Sequence, residues 1–571
     1  MKSRQTPVIL DATPWDPLIL WMTARRALNP VASFKLDIHE DCRVKMEAAA
    51  ALVQHLAKSK RAVYGVNTGF GDFAERAIPQ AAIEELQVNL IRSHACGIGE
   101  EVSRDLVMAM WLLRLRMLTR GHSGVRCETV EALMRILEAG ILACIPSRGS
   151  VGASGDLHPS AHATLTALGE GDCTMPTPDG RGFERLPAAE ALRRAGLKPL
   201  KLGAKEGLAL INGTAYSTAL AVKVWFEGCK LLRVADAVAA MTMEAVGGAG
   251  SILDDRVLAL HHRETDMVGC RLASWLEGST RWHAAREAGR FIQAPYSLRC
   301  VPQVHGAVLC ELEQCYTILK QEIGCVNDNP LVFADDEEIL SCGNFHAIYV
   351  ARVSDRLASA MANLATISER RTNLLMDDKI TGLPKFLVRD GGLNSGLMML
   401  QTTAAALASE VKSFCMPSCV DSIPTNCHRE DHVSMAAGAG MKALQTVTGL
   451  RQVLAIEAFC AGQATDLAGA QPMPPRLAEL HSRIRKFVPF IEADCYMAPY
   501  LKALDLAIEA DTLLPTEDLD RLQASAESCR AAVTTGVVEC RRRPGASGHT
   551  SLMGHCPCGA SYPSSLSDKF V

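Results

Sequence analysis

Apolar residues recur at three- and four-residue steps over long stretches of this chain. In RVSDRLASAMANLATISERR (352–371), Val353, Leu357, Met361, Leu364 and Ile367 make one stripe, which predicts an amphipathic helix. Met441 to Gln463 is apolar nearly all round, the pattern of a helix buried inside a bundle. Leu400–Phe414 and Glu128–Ile145 are further predicted helices, and their alanine-rich faces permit close packing. Strand signals are few and short. The segment CTMPTPDGRGFERLP, Cys173 to Pro187, is rich in turn residues and predicts a small hairpin or excursion. The expected fold class is mainly α, a bundle of long helices.

Between the helical stretches lie polar, glycine-containing loops: YGVNTGFG, GSVGASGDLHPSAH, LINGTAYS, QAPYSLRC, GNFHA and HREDHVS. That is the layout of a helical scaffold displaying functional loops. No repeat period is visible. After about Glu539 the pattern fails in a basic and then Gly/Ser/Pro-rich stretch, read as a mobile tail. Length alone would suggest about three or four domains. The pattern instead divides the chain into an N-terminal helical domain (1–205), a central and C-terminal helical bundle (206–538) and the tail (539–571).

Composition narrows the partners. Of 571 residues, 48% are hydrophobic and 21% charged, enough to bury a large core. A net charge of −4 gives no electrostatic reason to expect nucleic acid or an anionic membrane as partner. The opening stretch is broken by Asp11, Pro14, Asp16 and Pro17, which makes a poor signal peptide. No uncharged run reaches the ~20 apolar residues that a membrane span needs. The 21 cysteines are scattered, which reads as free or buried thiols in a reducing cytoplasm. HCPC at His555–Cys558 lacks the second ligand pair of a typical metal site, so no metal is expected.

The triplet Ala153-Ser154-Gly155 carries the candidate chemistry. Gly155 has no side chain, so in a bent loop its amide nitrogen can approach the Ala153 carbonyl carbon. Attack there closes a five-membered ring. Loss of water from the ring and from the Ser154 side chain leaves an exocyclic, electron-poor methylene, a strong electrophile. Three small residues alone also make an ordinary turn.

The wider set of loops separates these readings. From about Pro7 to about Asp511 the chain resembles the aromatic amino acid ammonia-lyase and aminomutase family, and within it the branch that acts on histidine. In that family the triplet within GASGDL becomes 4-methylideneimidazole-5-one (MIO), formed autocatalytically, with no dissociable cofactor. The resemblance implies a homotetramer whose active sites draw on three subunits. It implies elimination of ammonia from L-histidine to give trans-urocanate. The alternatives are a histidine 2,3-aminomutase making β-histidine with the same chemistry, or an enzyme acting on tyrosine. A non-enzymatic helical scaffold would leave the loop set unexplained. The fumarase and argininosuccinate-lyase group uses a GSSxMPxKxN-type loop that is absent here.

By the same resemblance, Tyr64 is the base that removes the β-proton, which as a phenolate near neutrality needs roughly 3–4 kcal/mol of help from loop N–H groups or a cation. Arg299 clamps the substrate carboxylate, a task suited to a planar guanidinium. Gln293 and Tyr296 line the same wall, and Tyr296 relays protons. Asn212 hydrogen-bonds the prosthetic group or the carboxylate, and Phe345 stacks near the ring. Ser93 and His94 face the substrate side chain, and Glu430 is a second partner for an imidazole and an acid/base group. Several positions depart from the usual histidine-branch pattern: His158 and Ser160 after GASGDL, His305, Met416, His428, and Arg429 where Gln is usual. Arg429 is counted with the substrate-binding residues. Either it pairs with Glu430 and lowers that carboxyl's pKa, or it points away.

Overall fold

The computed structural model describes residues 7–515 apart from 14, 30–33, 60, 249 and 470. The expected tail, with its HCPC motif, lies outside the described residues.

Five long helices form the body: Ala215–Val246, Val301–Gly324, Ile348–Leu375, Met398–Ser413 and Ala436–Leu467. The Ile348–Leu375 stripe is buried as its spacing demands, with Val353, Leu357, Met361 and Leu364 out of solvent. It packs on Ala436–Leu467, which in turn packs on Ala215–Val246. Small residues set the closeness. A Cβ on Gly449 would sit 2.4 Å from Val411 Cγ2, so the Met398–Ser413 helix can approach only a glycine there.

One predicted helix is shorter than its pattern. It spans Cys127–Glu138 rather than running to Ile145. Gly140 takes φ 70°, and Leu142–Ala143 then joins a three-stranded sheet. Ile141 to Ile145 is apolar because it is core strand and loop, which periodicity over so few residues cannot distinguish from helix. The turn-rich segment does fold as a hairpin, Asp172–Pro176 paired antiparallel with Phe183–Pro187. The remaining strands form short two-stranded pairs. No cysteine among the described residues forms a disulfide. No helix among those residues is long and apolar enough to cross a membrane.

Buried charge ties the bundle together. Glu457 accepts hydrogen bonds from Arg371 Nε (2.6 Å) and Nη2 (2.8 Å), from Ser368 Oγ (2.6 Å) and from Thr242 Oγ1 (2.9 Å). Three helices thus converge on one carboxylate. Asp236 accepts from Arg271 Nε (2.6 Å) and pairs with His305 Nδ1 (2.7 Å). The unusual His305 is therefore a core residue, its pKa held down by burial. Arg371→Met leaves the Glu457 charge buried and unpaired. It should cost about 3–5 kcal/mol in denaturant unfolding, and the paired Arg371→Met/Glu457→Met change should recover most of that loss.

Candidate active site

The GASGDL loop runs between the strand Pro146–Arg148 and the helix Leu157–Ala167. Its shape depends on a second glycine. Gly155 (φ 79°) and Gly213 (φ 103°) form an isolated parallel bridge. Gly213 N–H donates to the Ser154 carbonyl (3.1 Å), and the Asp156 N–H donates to the Gly213 carbonyl (2.8 Å). A Cβ at Gly155 would fall 2.2 Å from Gly213 O, so no other residue fits. A similar restraint holds the near side. Gly152 (φ 75°) would meet Ser434 Oγ at 2.2 Å, and Met435 N–H donates to Val151 O (2.9 Å). The tripeptide is thus bracketed by LINGT on one side and HREDHVS on the other.

Inside these brackets Ser154 Oγ lies 3.4 Å from Glu430 Oε1. Glu430 is itself held by Thr425 Oγ1 (2.7 Å) and by Asn426 Nδ2 (3.4 Å). Tyr64 joins the cluster. Its hydroxyl accepts a long hydrogen bond from Gly71 N–H (3.4 Å), and Phe70 packs edge-on to its ring. Burial raises the Tyr64 pKa, the Gly71 N–H offsets this in part, and the Glu430 charge raises it further. The surroundings supplied by this chain therefore oppose phenolate formation, and no cation figures among them.

Arg429 points away from Glu430. Its Nε lies 3.2 Å from Asp72 Oδ1 in an exposed pair. The same two loops also meet where Asp72 N–H donates to Asn426 Oδ1 (3.4 Å), so Arg429 fastens the Tyr64 loop to the Glu430 loop. His346 and His432, which sequence reasoning passed over, add a further tie. Their rings stack with centroids 5.2 Å apart, and Nε2 of one meets Nδ1 of the other at 3.1 Å. This brings the half-buried Phe345, next to His346, to the Glu430 loop. Both histidines stood beside residues already chosen, and only their pairing was hidden.

His94 and the Gln293–Arg299 segment make their hydrogen bonds and ring contacts elsewhere. His94 ends the helix Ile83–His94, with Nδ1 on the Leu90 carbonyl (2.8 Å) and on Ser93 Oγ (3.0 Å). Among the described residues, no hydrogen bond or ring contact joins it to Ser154 or Glu430. Gln293, Tyr296 and Arg299 form a cluster of their own. Arg299 Nη2 donates to Gln293 Oε1 (3.0 Å), and its guanidinium lies 4.5 Å over the Tyr296 ring. Tyr296 is 70% exposed and the neighbouring Ile292 fully so. Met416, another departure from the usual pattern, is also exposed.

Two buried groups flank the triplet. Asp156 Oδ2 accepts from Ser217 N–H (2.8 Å) and Oγ (2.9 Å), and burial lifts its pKa to about 6. His158 is 4% exposed with no hydrogen-bond partner on either ring nitrogen. Burial, aided by the charge of nearby His162, lowers its pKa to about 4.

Comparisons with known proteins place the chain in a family. The profile of the aromatic amino acid lyase family matches residues 24–486. A histidine ammonia-lyase of Symbiobacterium thermophilum is 44% identical over 465 residues, covering 81% of this chain and 90% of that protein. Among solved structures, histidine ammonia-lyase from Trypanosoma cruzi superposes with TM-score 0.79 at 34% identity, over 95% of this chain and 100% of that one. Tyrosine aminomutase from Streptomyces globisporus gives 0.80 at 30%, over 94% and 100%. A helical scaffold bearing a glycine-clamped Ala-Ser-Gly loop is the frame of a carbon–nitrogen lyase. The chain belongs to the aromatic amino acid lyase family.

The buried histidine sets an acid response. Its folded pKa is depressed, so the folded state resists protonation that the unfolded chain accepts. The stability it contributes is present above about pH 6.5 and is lost as pH falls toward 4. Asp156, with a raised pKa, acts in the opposite sense over an overlapping range. The His158 contribution is therefore read as a difference. Between pH 7 and pH 4 the parent should lose about 3 kcal/mol of unfolding free energy relative to His158→Ala. Arg429→Gln removes only an exposed pair and should change stability by less than about 1 kcal/mol in the same assay.

Proposed function

We propose that this chain is an ammonia-lyase that converts L-histidine to trans-urocanate and ammonia, using MIO formed from Ala153-Ser154-Gly155. The observation carrying this reading is the convergence of Ser154, Glu430 and Tyr64 within a loop clamped by Gly213 and Ser434. The residues present fit the prosthetic group. Gly155 is left-handed and admits no side chain, Ser154 has a hydroxyl to lose, and the Ser154 carbonyl already accepts the Gly213 N–H. When formed, the group supplies an electron-poor alkene that takes up the substrate's amino group and makes nitrogen a better leaving group.

The protein's own groups do the remaining work. Glu430 accepts an N–H of the substrate imidazole, and His94 is assigned to the same ring. That hydrogen bond draws on the Glu430 charge that raises the Tyr64 pKa, so substrate binding itself eases formation of the base. Tyr64 then takes the β-proton, and the C–N bond breaks to give the conjugated acid. The carboxylate clamp is Arg299, steered by Gln293 and stacked on Tyr296. Because that cluster stands apart in one chain and exposes Tyr296 and Ile292, we assign it to the site of a neighbouring copy, in a homotetramer. Arg429 does not face the ring in this arrangement and acts by joining loops.

The test is direct. Purified protein incubated with L-histidine should release ammonia and urocanate, and its intact mass should be two waters below the sequence mass. Ser154→Ala should keep the full mass and lose the activity. Glu430→Gln should lower kcat by roughly 100-fold or more, the usual contribution of a positioned acid/base group. β-Histidine as the main product by NMR would move the assignment to an aminomutase, and a coumarate formed from tyrosine would move the substrate.

A further inference from the structure

One carboxylate outside the active-site loops holds both ends of the helical turn that delivers Gly213 to the tripeptide. That turn, Glu206–Ile211, begins at Lys205, a non-glycine residue at φ 65°, and ends at Asn212. Lys205 Nζ lies 2.6 Å from Asp328 Oδ2, and both side chains are completely buried. The other oxygen, Asp328 Oδ1, accepts from Asn212 Nδ2 (3.2 Å), which also donates to the Asn329 carbonyl (3.1 Å). Two acceptors around Nδ2 define which way the amide lies, because the flipped form would set Oδ1 against a carboxylate and a carbonyl. The Asn212 carbonyl is fixed as well, accepting from the buried Arg114 guanidinium. Gly213 follows directly, and it donates its N–H to the Ser154 carbonyl.

We propose that Asp328 is a positioning residue for formation of the prosthetic group. By fastening Lys205 with one oxygen and Asn212 with the other, it keeps Gly213 against Ala153-Ser154-Gly155 in the bent form that condenses. This rests on the functional reading above. In the condensation, the Gly155 nitrogen bonds to the Ala153 carbonyl carbon. The former carbonyl oxygen leaves as water with the Gly155 and Ser154 amide protons. Ser154 Oγ leaves with the Ser154 Cα proton as a second water, and no oxidant or reductant is needed. Asp328 touches none of these atoms.

The test compares full-length variants by intact mass and by the ultraviolet band of the ring, with circular dichroism and thermal unfolding to establish folding. In Asp328→Asn a single amide oxygen is contested by Lys205 and Asn212. The matured fraction at a fixed time should fall roughly tenfold, the loss expected for one hydrogen bond to a charged group. In Lys205→Met/Asp328→Asn the buried Lys–Asp pair is gone and that oxygen is free for Asn212, so maturation should recover. Lys205→Met/Asp328→Leu removes the charges and the acceptor together, and should fold yet stay at the full sequence mass. Equal maturation of the two double variants, or parent-level maturation of Asp328→Asn, overturns the proposal. If the leucine variant yields no folded chain, Asp328→Asn against Lys205→Met/Asp328→Asn decides, and equal maturation again overturns it. A parent chain at full sequence mass would defeat the functional reading itself, and this inference with it.

Discussion

Two glycine backbones meet where no side chain can stand, and the candidate site is arranged around that contact. Gly155 and Gly213 both take positive φ, and each lies within reach of the other's peptide groups. The contact bends the tripeptide and turns the Ser154 side chain toward Glu430. It also couples distant parts of the chain. The Gly213 side leads through Asn212 to Asp328 and Lys205, and the Gly152 side leads through Ser434 to the loop that carries Glu430. Substituting a glycine in this bracket would therefore displace several loops together.

The electrostatics of a single chain disfavour the charged forms of Tyr64 and His158. Burial raises Tyr64 and Asp156 and lowers His158. Such surroundings suit an electrophile that water must not reach, but they oppose a phenolate base. The cation that the chemistry calls for, Arg299, sits with Gln293 and Tyr296 on a face of its own. An incomplete site and an exposed cluster around Arg299 are what the proposed shared active site would present from one subunit. The proposed assembly would bring these two parts together.

Much of this was legible in the sequence, and what was not follows a rule. Local signals held: the Val353–Ile367 stripe, the all-round apolar helix near Met441, and the turn-rich hairpin after Asp172. The Glu128 helix was drawn too long because Gly140 ends it and a buried strand carries on the apolar run. Ala153-Ser154-Gly155 was legible as chemistry, but its partner Gly213 was not, since nothing in LINGT announces a backbone contact about sixty residues away. Arg429 shows the same limit. The sequence left open whether it pairs with its neighbour Glu430 or points away; successive residues point different ways, and Asp72 on another loop takes the guanidinium. The His346–His432 pair was likewise hidden between two motifs that had each been noticed alone.

The bundle contributes more than rigidity. Each of the joined loops feeds directly into the N-terminus of a helix: Asp156 into Leu157–Ala167, Thr214 into Ala215–Val246, Ala347 into Ile348–Leu375, and Met435 into Ala436–Leu467. The loops touch one another through Gly213 and Ser154, Val151 and Met435, and His346 and His432. Each helix start carries unpaired N–H groups and roughly half a positive charge. Grouping several such ends around the loop adds a positive potential to that of the buried Arg114 guanidinium. That potential is fixed in direction by helices of up to 32 residues, so it need not reorganise as charge develops during reaction. On this view the long helices and the glycine contact serve one end: the glycines shape the reactive loop, and the helix ends set the field in which it reacts.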